Sequence, residues 1–174
     1  LDRSSAASDV YKRQQYTHPN SIASDISRCI TMDDSDRIWI GTREGLSLYN
    51  HYKDEFSNYY YKRNGLNVAV TSIIPIKKDW LMLGTAEGIL LFDVKKECFL
   101  SDTLSSSLHG LQPAALVRQD DCIYIGTEEG VYIYTLSNGI LEKLVDMPAG
   151  IRVHAILCQM FNRIWLATEG DGLY

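Results

Sequence analysis

Three groups of residues in this chain could do chemistry. Asp33-Asp34-Ser35-Asp36 and Asp120-Asp121 are carboxylate-rich, as loops that hold hard cations are. They lack the glycine and glutamate spacing of a dedicated calcium loop, and Asx-rich hairpin turns account for them, so no metal site is expected. A second set is Arg43, Asn64, Asn67, His109, Gln112 and Arg152. Planar polar groups of this kind can hydrogen-bond the hydroxyl edges of a sugar while an aromatic ring takes its C–H face. Tyr59-Tyr60-Tyr61 offers such rings. Strand alternation sends Tyr59 and Tyr61 to one side and Tyr60 to the other, and on an outer strand they seal a rim. The third group is the histidines, His18, His51, His109 and His154, which fall at unrelated positions. No Ser–His–Asp arrangement or paired carboxylate recurs with them, so no catalytic residue is assigned.

The four cysteines, Cys29, Cys98, Cys122 and Cys158, show neither CxxC spacing nor a partner histidine pattern. A zinc site is therefore not expected, and free thiols serving as small core hydrophobes are. No cofactor is expected.

The elements that must position these residues repeat. RIWIGTREGLSLYN (37–50), DWLMLGTAEGILLFD (79–93), CIYIGTEEGVYIYT (122–135) and RIWLATEGDGLY (163–174) are four copies of one pattern. Their anchors, Gly41, Gly84, Gly126 and Ala167, are 41–43 residues apart. Strand-like copies at that period mark the blades of a β-propeller, in which each unit needs its neighbours to bury its faces.

One blade can be laid out from Leu66 to Leu108. Val68–Ile76 reads as a first strand, Trp80–Thr85 as a second, Ile89–Asp93 as a third and Glu97–Ser101 as a weaker, more polar fourth. Successive hairpins make this a four-stranded antiparallel meander. The middle strands are apolar at both parities, as in Ile38-Trp39-Ile40 and Ile123-Tyr124-Ile125. A sheet with one wet face would alternate, so both faces of each blade must be covered.

The recurring Thr-x-Glu-Gly reads as architecture. Gly45, Gly88 and Gly130 fall where a short hairpin needs positive φ. The hydroxyls of Thr42, Thr85, Thr127 and Thr168 can bond backbone inside the turn. The small residue before each threonine lets the next blade approach. The last copy carries one extra residue in Gly170-Asp171-Gly172, which predicts a longer turn.

The expected fold is all-β: a partial β-propeller of three complete four-stranded antiparallel blades (about 22–65, 66–108 and 111–147) plus an incomplete fourth (151–174). The fourth copy stops inside its third strand. Because closed propellers usually have 4–8 blades, the chain reads as a piece of a larger ring. Its end blades should then expose apolar faces, and the isolated piece should self-associate through them. Residues 1–14 (LDRSSAASDVYKRQ) match no part of the repeat and read as a non-native or disordered leader, with the propeller spanning 15–174.

With 45% hydrophobic and 22% charged residues, the composition excludes wholesale disorder. The net charge of −5, without a basic cluster longer than two residues, argues against nucleic acid as a partner. No run approaches the roughly 20 apolar residues of a membrane-spanning helix.

The WIGT-like strand, glycine turn and following aromatic resemble the repeats of the two-component regulator propeller family. The matching residues are Trp39-Ile40-Gly41-Thr42, Gly45-Leu46 and Tyr49 in the first copy. In the last copy they are Trp165-Leu166-Ala167-Thr168, Gly172-Leu173 and Tyr174. Met82 and Tyr124 replace the tryptophan in the middle copies. The resemblance covers residues 15–174. It implies a segment of the periplasmic sensor of an inner-membrane hybrid two-component system, in a parent that is a sensor histidine kinase and a homodimer. It further implies oligosaccharide signals, and as partners the remaining blades and the downstream sensor and kinase modules. This segment itself is expected to be no enzyme. The alternatives are a fragment of a carbohydrate-active propeller enzyme (a lyase or glycosidase) or a protein-interaction scaffold. The scaffold is disfavoured because Ile-Trp-Ile-Gly-Thr replaces a Gly-His and Trp-Asp signature.

Overall fold

In a computed structural model of the chain, the described residues are 20–100, 108, 110–145, 150–159 and 163–174. The leader expected at 1–14 lies outside them.

The β-branched and aromatic runs become strands and the Asp-, Asn- and Gly-bearing segments become turns. The first blade is β1 (Ser27–Met32), β2 (Ile38–Thr42), β3 (Gly45–Asn50) and β4 (Glu55–Tyr59). A small hairpin follows, β5 (Lys62–Arg63) with β6 (Leu66–Asn67). The second blade is β7 (Val70–Lys77), β8 (Trp80–Thr85), β9 (Gly88–Asp93) and β10 (Cys98–Leu100). The third is β11 (Ala115–Gln119), β12 (Cys122–Thr127), β13 (Gly130–Thr135) and β14 (Leu141–Lys143). The fourth shows β15 (Val153–Gln159) and β16 (Arg163–Thr168), with Leu173 bridging back to Ala167 as the start of a third strand.

Each of the first three blades is an antiparallel meander with its strands in sequence order, and the sheets do not close on one another. This is the partial propeller that the repeat predicts. Contacts between blades run mainly through first strands, β1 against β7, β7 against β11 and β11 against β15. The sheets therefore converge on their first strands and fan outward to the more exposed fourth.

Three apolar clusters fill the spaces between blades. Trp39 and Leu46 of the first blade meet Val70, Leu81, Leu83 and Phe92 of the second. Met82 and Leu91 of the second meet Ile123, Ile125 and Tyr134 of the third. Ala115 and Val131 of the third meet Val153, Ile156 and Leu166 of the fourth. Along β8, Leu81 and Leu83 thus face one neighbour and Met82 the other, which explains why the strand is apolar at both parities. Fully burying a side chain of this size contributes about 1.5–3 kcal/mol.

The anchor glycines sit where blades come closest. A Cβ on Gly41 would stand 2.8 Å from the Val70 carbonyl oxygen and collide with the Cys29 sulfur. One on Gly84 would meet Pro113, and one on Gly126 would meet Val153 and Ile156.

Trp39 carries a polar anchor as well. Its indole Nε1 donates to Asp33 Oδ2 at 2.8 Å, and the same carboxylate accepts from Arg37 Nε and from the backbone N–H groups of Ser35 and Arg37. Burial pushes the Asp33 carboxyl up, but the donors from Trp39, Ser35 and Arg37 outweigh it and hold it below the usual carboxylate value. The acidic run is therefore a turn built around one buried carboxylate. Arg37 also donates to the Lys78 carbonyl at 3.2 Å, tying this turn to the second blade.

Two expectations need correction. All four cysteines are free, but Cys98 opens β10 exposed rather than in the core. The outer strand of the first blade ends at Tyr59, short of the full tyrosine run. Tyr59 packs on Phe92 (4.8 Å between ring centres) and Tyr61 on Phe99 (5.5 Å), both in the second blade. These tyrosines serve packing between blades, and Tyr60 is exposed.

Asp33→Asn should lower stability in urea denaturation by about 1–3 kcal/mol at neutral pH, since it weakens a buried set of charge-assisted bonds. The native carboxyl titrates below its unfolded value. Its contribution is thus complete above about pH 4 and fades as pH falls through the lower, folded value. The gap between the two proteins should shrink below about pH 4; a gap constant with pH would refute the assignment. Gly41→Ala should cost about 1–3 kcal/mol by forcing the first two blades apart, and an unchanged urea midpoint would contradict that packing.

Candidate functional site

The hairpin turns between the second and third strands fix one rim of the molecule. In the first three blades the threonine hydroxyl donates to the carbonyl of the turn glycine, Thr42 to Gly45 (3.0 Å), Thr85 to Gly88 (2.7 Å) and Thr127 to Gly130 (3.0 Å). The same oxygen accepts from the N–H of Glu44, Glu87 or Glu129. In the fourth copy Thr168 reaches Gly172 instead, across a turn one residue longer. These residues hold the turns, and the side chains beside them are what the rim presents.

Arg43 and Glu44 sit on the first of these turns. With Lys62, Gly65, Leu66 and Asn67 they line an open groove of about 450 Å³. The β5–β6 hairpin brings Lys62 and Asn67 there. Asn64 and Gly65 turn it with φ of 52° and 81°, both in the left-handed region that a two-residue Asn-Gly hairpin uses. The Asn67 Oδ1 is shielded from solvent yet has no hydrogen-bond partner. A buried carbonyl oxygen without a donor is costly, so the Asn67 side chain gains by turning its amide toward a donor at the groove.

Of the six residues expected to bind, the structure brings Arg43 and Asn67 into one groove. Asn64 turns the adjacent hairpin and is exposed. Gln112 is exposed ahead of β11, in the segment between the second and third blades. Arg152 lies between the third and fourth blades, bridging Glu128 (3.7 Å) and Glu169 (3.4 Å), and His154 also reaches Glu169 at 3.4 Å. His109 lies outside the described residues.

Sequence reasoning passed over Lys62 and Arg63. Arg63 pairs with Glu87 on the second blade's turn at 3.2 Å and donates to its carbonyl. The Asn64-Gly65 dipeptide was the available signal, because it announces a tight hairpin in what otherwise reads as a linker.

The protonation equilibria that are displaced upward lie elsewhere. Burial raises the Cys29 thiol to about 11 and, with a further push from Glu97, the Tyr59 phenol to about 12. Burial likewise raises Tyr124 and Cys158. None of these four lines the Arg43 groove. Among the described residues, no group of three or more His, Cys, Asp or Glu is placed to hold a metal ion. The groove can therefore offer two cations, an amide oxygen and a carboxylate, which suits binding of a polar ligand.

Comparison with known proteins places this geometry. Residues 21–44 match the family model described as two component regulator propeller. No curated protein matches the chain. Among solved structures, the chain is similar to the extracellular domain of BT4673 from B. thetaiotaomicron, described as a hybrid two component system. The identity is 21% and the TM-score 0.74, over 93% of this chain and 21% of that one. It is similar to the extracellular domain of BT3049 from the same organism, described in the same way. There the identity is 25% and the TM-score 0.70, over 94% of this chain and 24% of that one. The computationally designed Ika4 protein shares the fold at 10% identity and a TM-score of 0.63, over 95% of this chain and 97% of that one. The chain thus spans about a fifth to a quarter of the length of the two extracellular domains. Residues 21–44 thus match a two component regulator propeller repeat, and three further copies of the same glycine-threonine strand and turn follow it along the chain.

Proposed function

We propose that the chain is part of the extracytoplasmic, periplasmic ligand-sensing propeller of a hybrid two-component regulator, and that it binds an oligosaccharide without turning it over. The observation that carries the reading is the family-matched repeat at residues 21–44, on a fold like that of the BT4673 and BT3049 extracellular domains. The groove beside Arg43 supports the ligand class. Arg43 and Lys62 are exposed donors and Asn67 Oδ1 is a shielded acceptor, a combination that matches the mixed donor and acceptor edge of sugar hydroxyls. In the parent protein the remaining blades would complete the ring. Ligand binding would favour one arrangement of a sensor homodimer, and only a difference in affinity between arrangements can pass a signal to the kinase modules.

Titration calorimetry of the complete ectodomain against a panel of oligosaccharides should find at least one ligand that is recovered unchanged. Arg43→Ala combined with Asn67→Ala should weaken it about tenfold or more, on the scale of two lost hydrogen bonds including one to a charged group. Arg152→Ala, removing an exposed ion-pair cluster, should alter stability by no more than about 1 kcal/mol. Silence across the panel, or turnover of any one sugar, would defeat the sensing reading.

A further inference from the structure

The turn that follows each threonine departs from the repeat in the first blade. Where that turn carries Arg43, the later copies carry Ala86, Glu128 and Glu169. At the next place Glu44, Glu87 and Glu129 agree. A guanidinium thus interrupts an acidic rim at one point. Two other cations of this rim are already engaged: Arg63 pairs with Glu87 at 3.2 Å, and Arg152 with Glu128 and Glu169 at 3.7 and 3.4 Å. Among the described residues, neither Arg43 nor Lys62 lies within ion-pair distance of a carboxylate. Both line the same open groove, on a chain whose net charge is −5. Two cations sharing a groove repel each other, and an anionic group between them replaces that repulsion with two attractions.

The groove also has an aromatic neighbour that the packing between blades leaves unused. Tyr61 and Arg63 turn to the second blade, against Phe99 and Glu87, while Lys62 lines the groove. Tyr60 follows neither tyrosine partner into the blade interface. A Cβ on Gly45 would stand 3.3 Å from Tyr60 Cδ1, so the ring lies against the turn whose Arg43 and Glu44 line the groove. Tyr60 is 45% exposed. The register gives its counterpart in the third blade. Leu46 pairs with Tyr59, and Val131, which stands where Leu46 does, accepts from Leu144, so Val145 takes the place of Tyr60. The third blade has a neighbour on each side, yet Val145 is 88% exposed. This place on the rim therefore stays open in a flanked blade, and the first blade puts an aromatic ring there.

We propose that the groove selects an oligosaccharide carrying a negatively charged group. Arg43 and Lys62 hold the carboxylate or sulfate, Glu44 accepts a hydroxyl of the same sugar, and the Tyr60 ring carries the C–H face of the adjoining one. The inference rests on the ligand-sensing reading above and narrows its ligand class. It also gives Tyr60 a role distinct from the packing done by Tyr59 and Tyr61.

Titration calorimetry of the complete ectodomain should use two matched pairs of probes. One is an oligogalacturonate with its methyl-esterified counterpart, the other a sulfated oligosaccharide with its desulfated counterpart. The acidic member of at least one pair should bind about tenfold or more tightly than its neutral partner, the scale of a hydrogen bond to a charged group, and raising the salt concentration should narrow the gap. Which pair shows the gap distinguishes carboxylate from sulfate. Arg43→Gln and Lys62→Gln should each shrink that preference, and Arg152→Ala, at a cation already engaged by two carboxylates, should leave it unchanged. Tyr60→Ala should weaken the acidic and neutral probes alike by about fivefold, and Tyr60→Phe should restore both, because the ring and not the hydroxyl makes the contact. All these changes are at exposed positions and should leave the far-UV circular dichroism intact. Neutral probes that bind as tightly as acidic ones, or a preference that survives Arg43→Gln with Lys62→Gln, would overturn this inference and leave the sensing reading standing. Silence with acidic and neutral sugars alike would overturn both.

Discussion

Everything in this molecule depends on the packing of one sheet face against the next. A blade apolar on both sides has no wet face to turn outward, so its stability resides in its neighbours. Trp39 shows how this works. Its ring fills the gap to the second blade, against Phe92 and Tyr59. Its indole N–H meanwhile reaches back to Asp33, so the largest core side chain buries no unpaired polar group. Gly41 then lets the Val70 backbone come close enough for that ring to make contact on both sides.

The same constraint divides the residues into those that repeat and those that do not. Thr42, Thr85 and Thr127 with Gly45, Gly88 and Gly130 are spent on closing turns. A residue used identically in every blade cannot distinguish one place on the rim from another. The groove at Arg43 is distinctive because, among the described residues, a hairpin such as Lys62–Asn67 is inserted only between the first and second blades. Departures from the repeat are where a propeller of this kind acquires a local chemistry of its own.

The blade was legible because its signals are local. Trp80–Thr85 reads directly as a strand from its apolar run, and the Thr-Glu-Gly turns from the demand for positive φ at glycine. Tyr59-Tyr60-Tyr61 was harder. Alternation gives the side of each ring but not which neighbour stands there, and the second blade's Phe92 and Phe99 were the unseen partners. The candidate site was legible only in part. Arg43 and Asn67 are 24 positions apart, and nothing in their spacing shows that a hairpin folds one onto the other. Arg152 read as a possible ligand contact, yet its guanidinium is engaged by carboxylates on two different turns.

The amino-acid sequence by itself determined the repeat, its period, the strands and the chemistry of the turns, because each follows from residues within a few positions of one another. It also determined that both faces of every blade must be covered. Only the tertiary structure decided what covers them. It joined Trp39 to Phe92, set a carboxylate beneath the indole, brought Asn67 beside Arg43 and left Trp165 and Ile30 facing outward. The physical reason is that hydrophobic burial has no direction. An apolar residue in the chain states that it needs a partner, and only the packed arrangement of blades names which one.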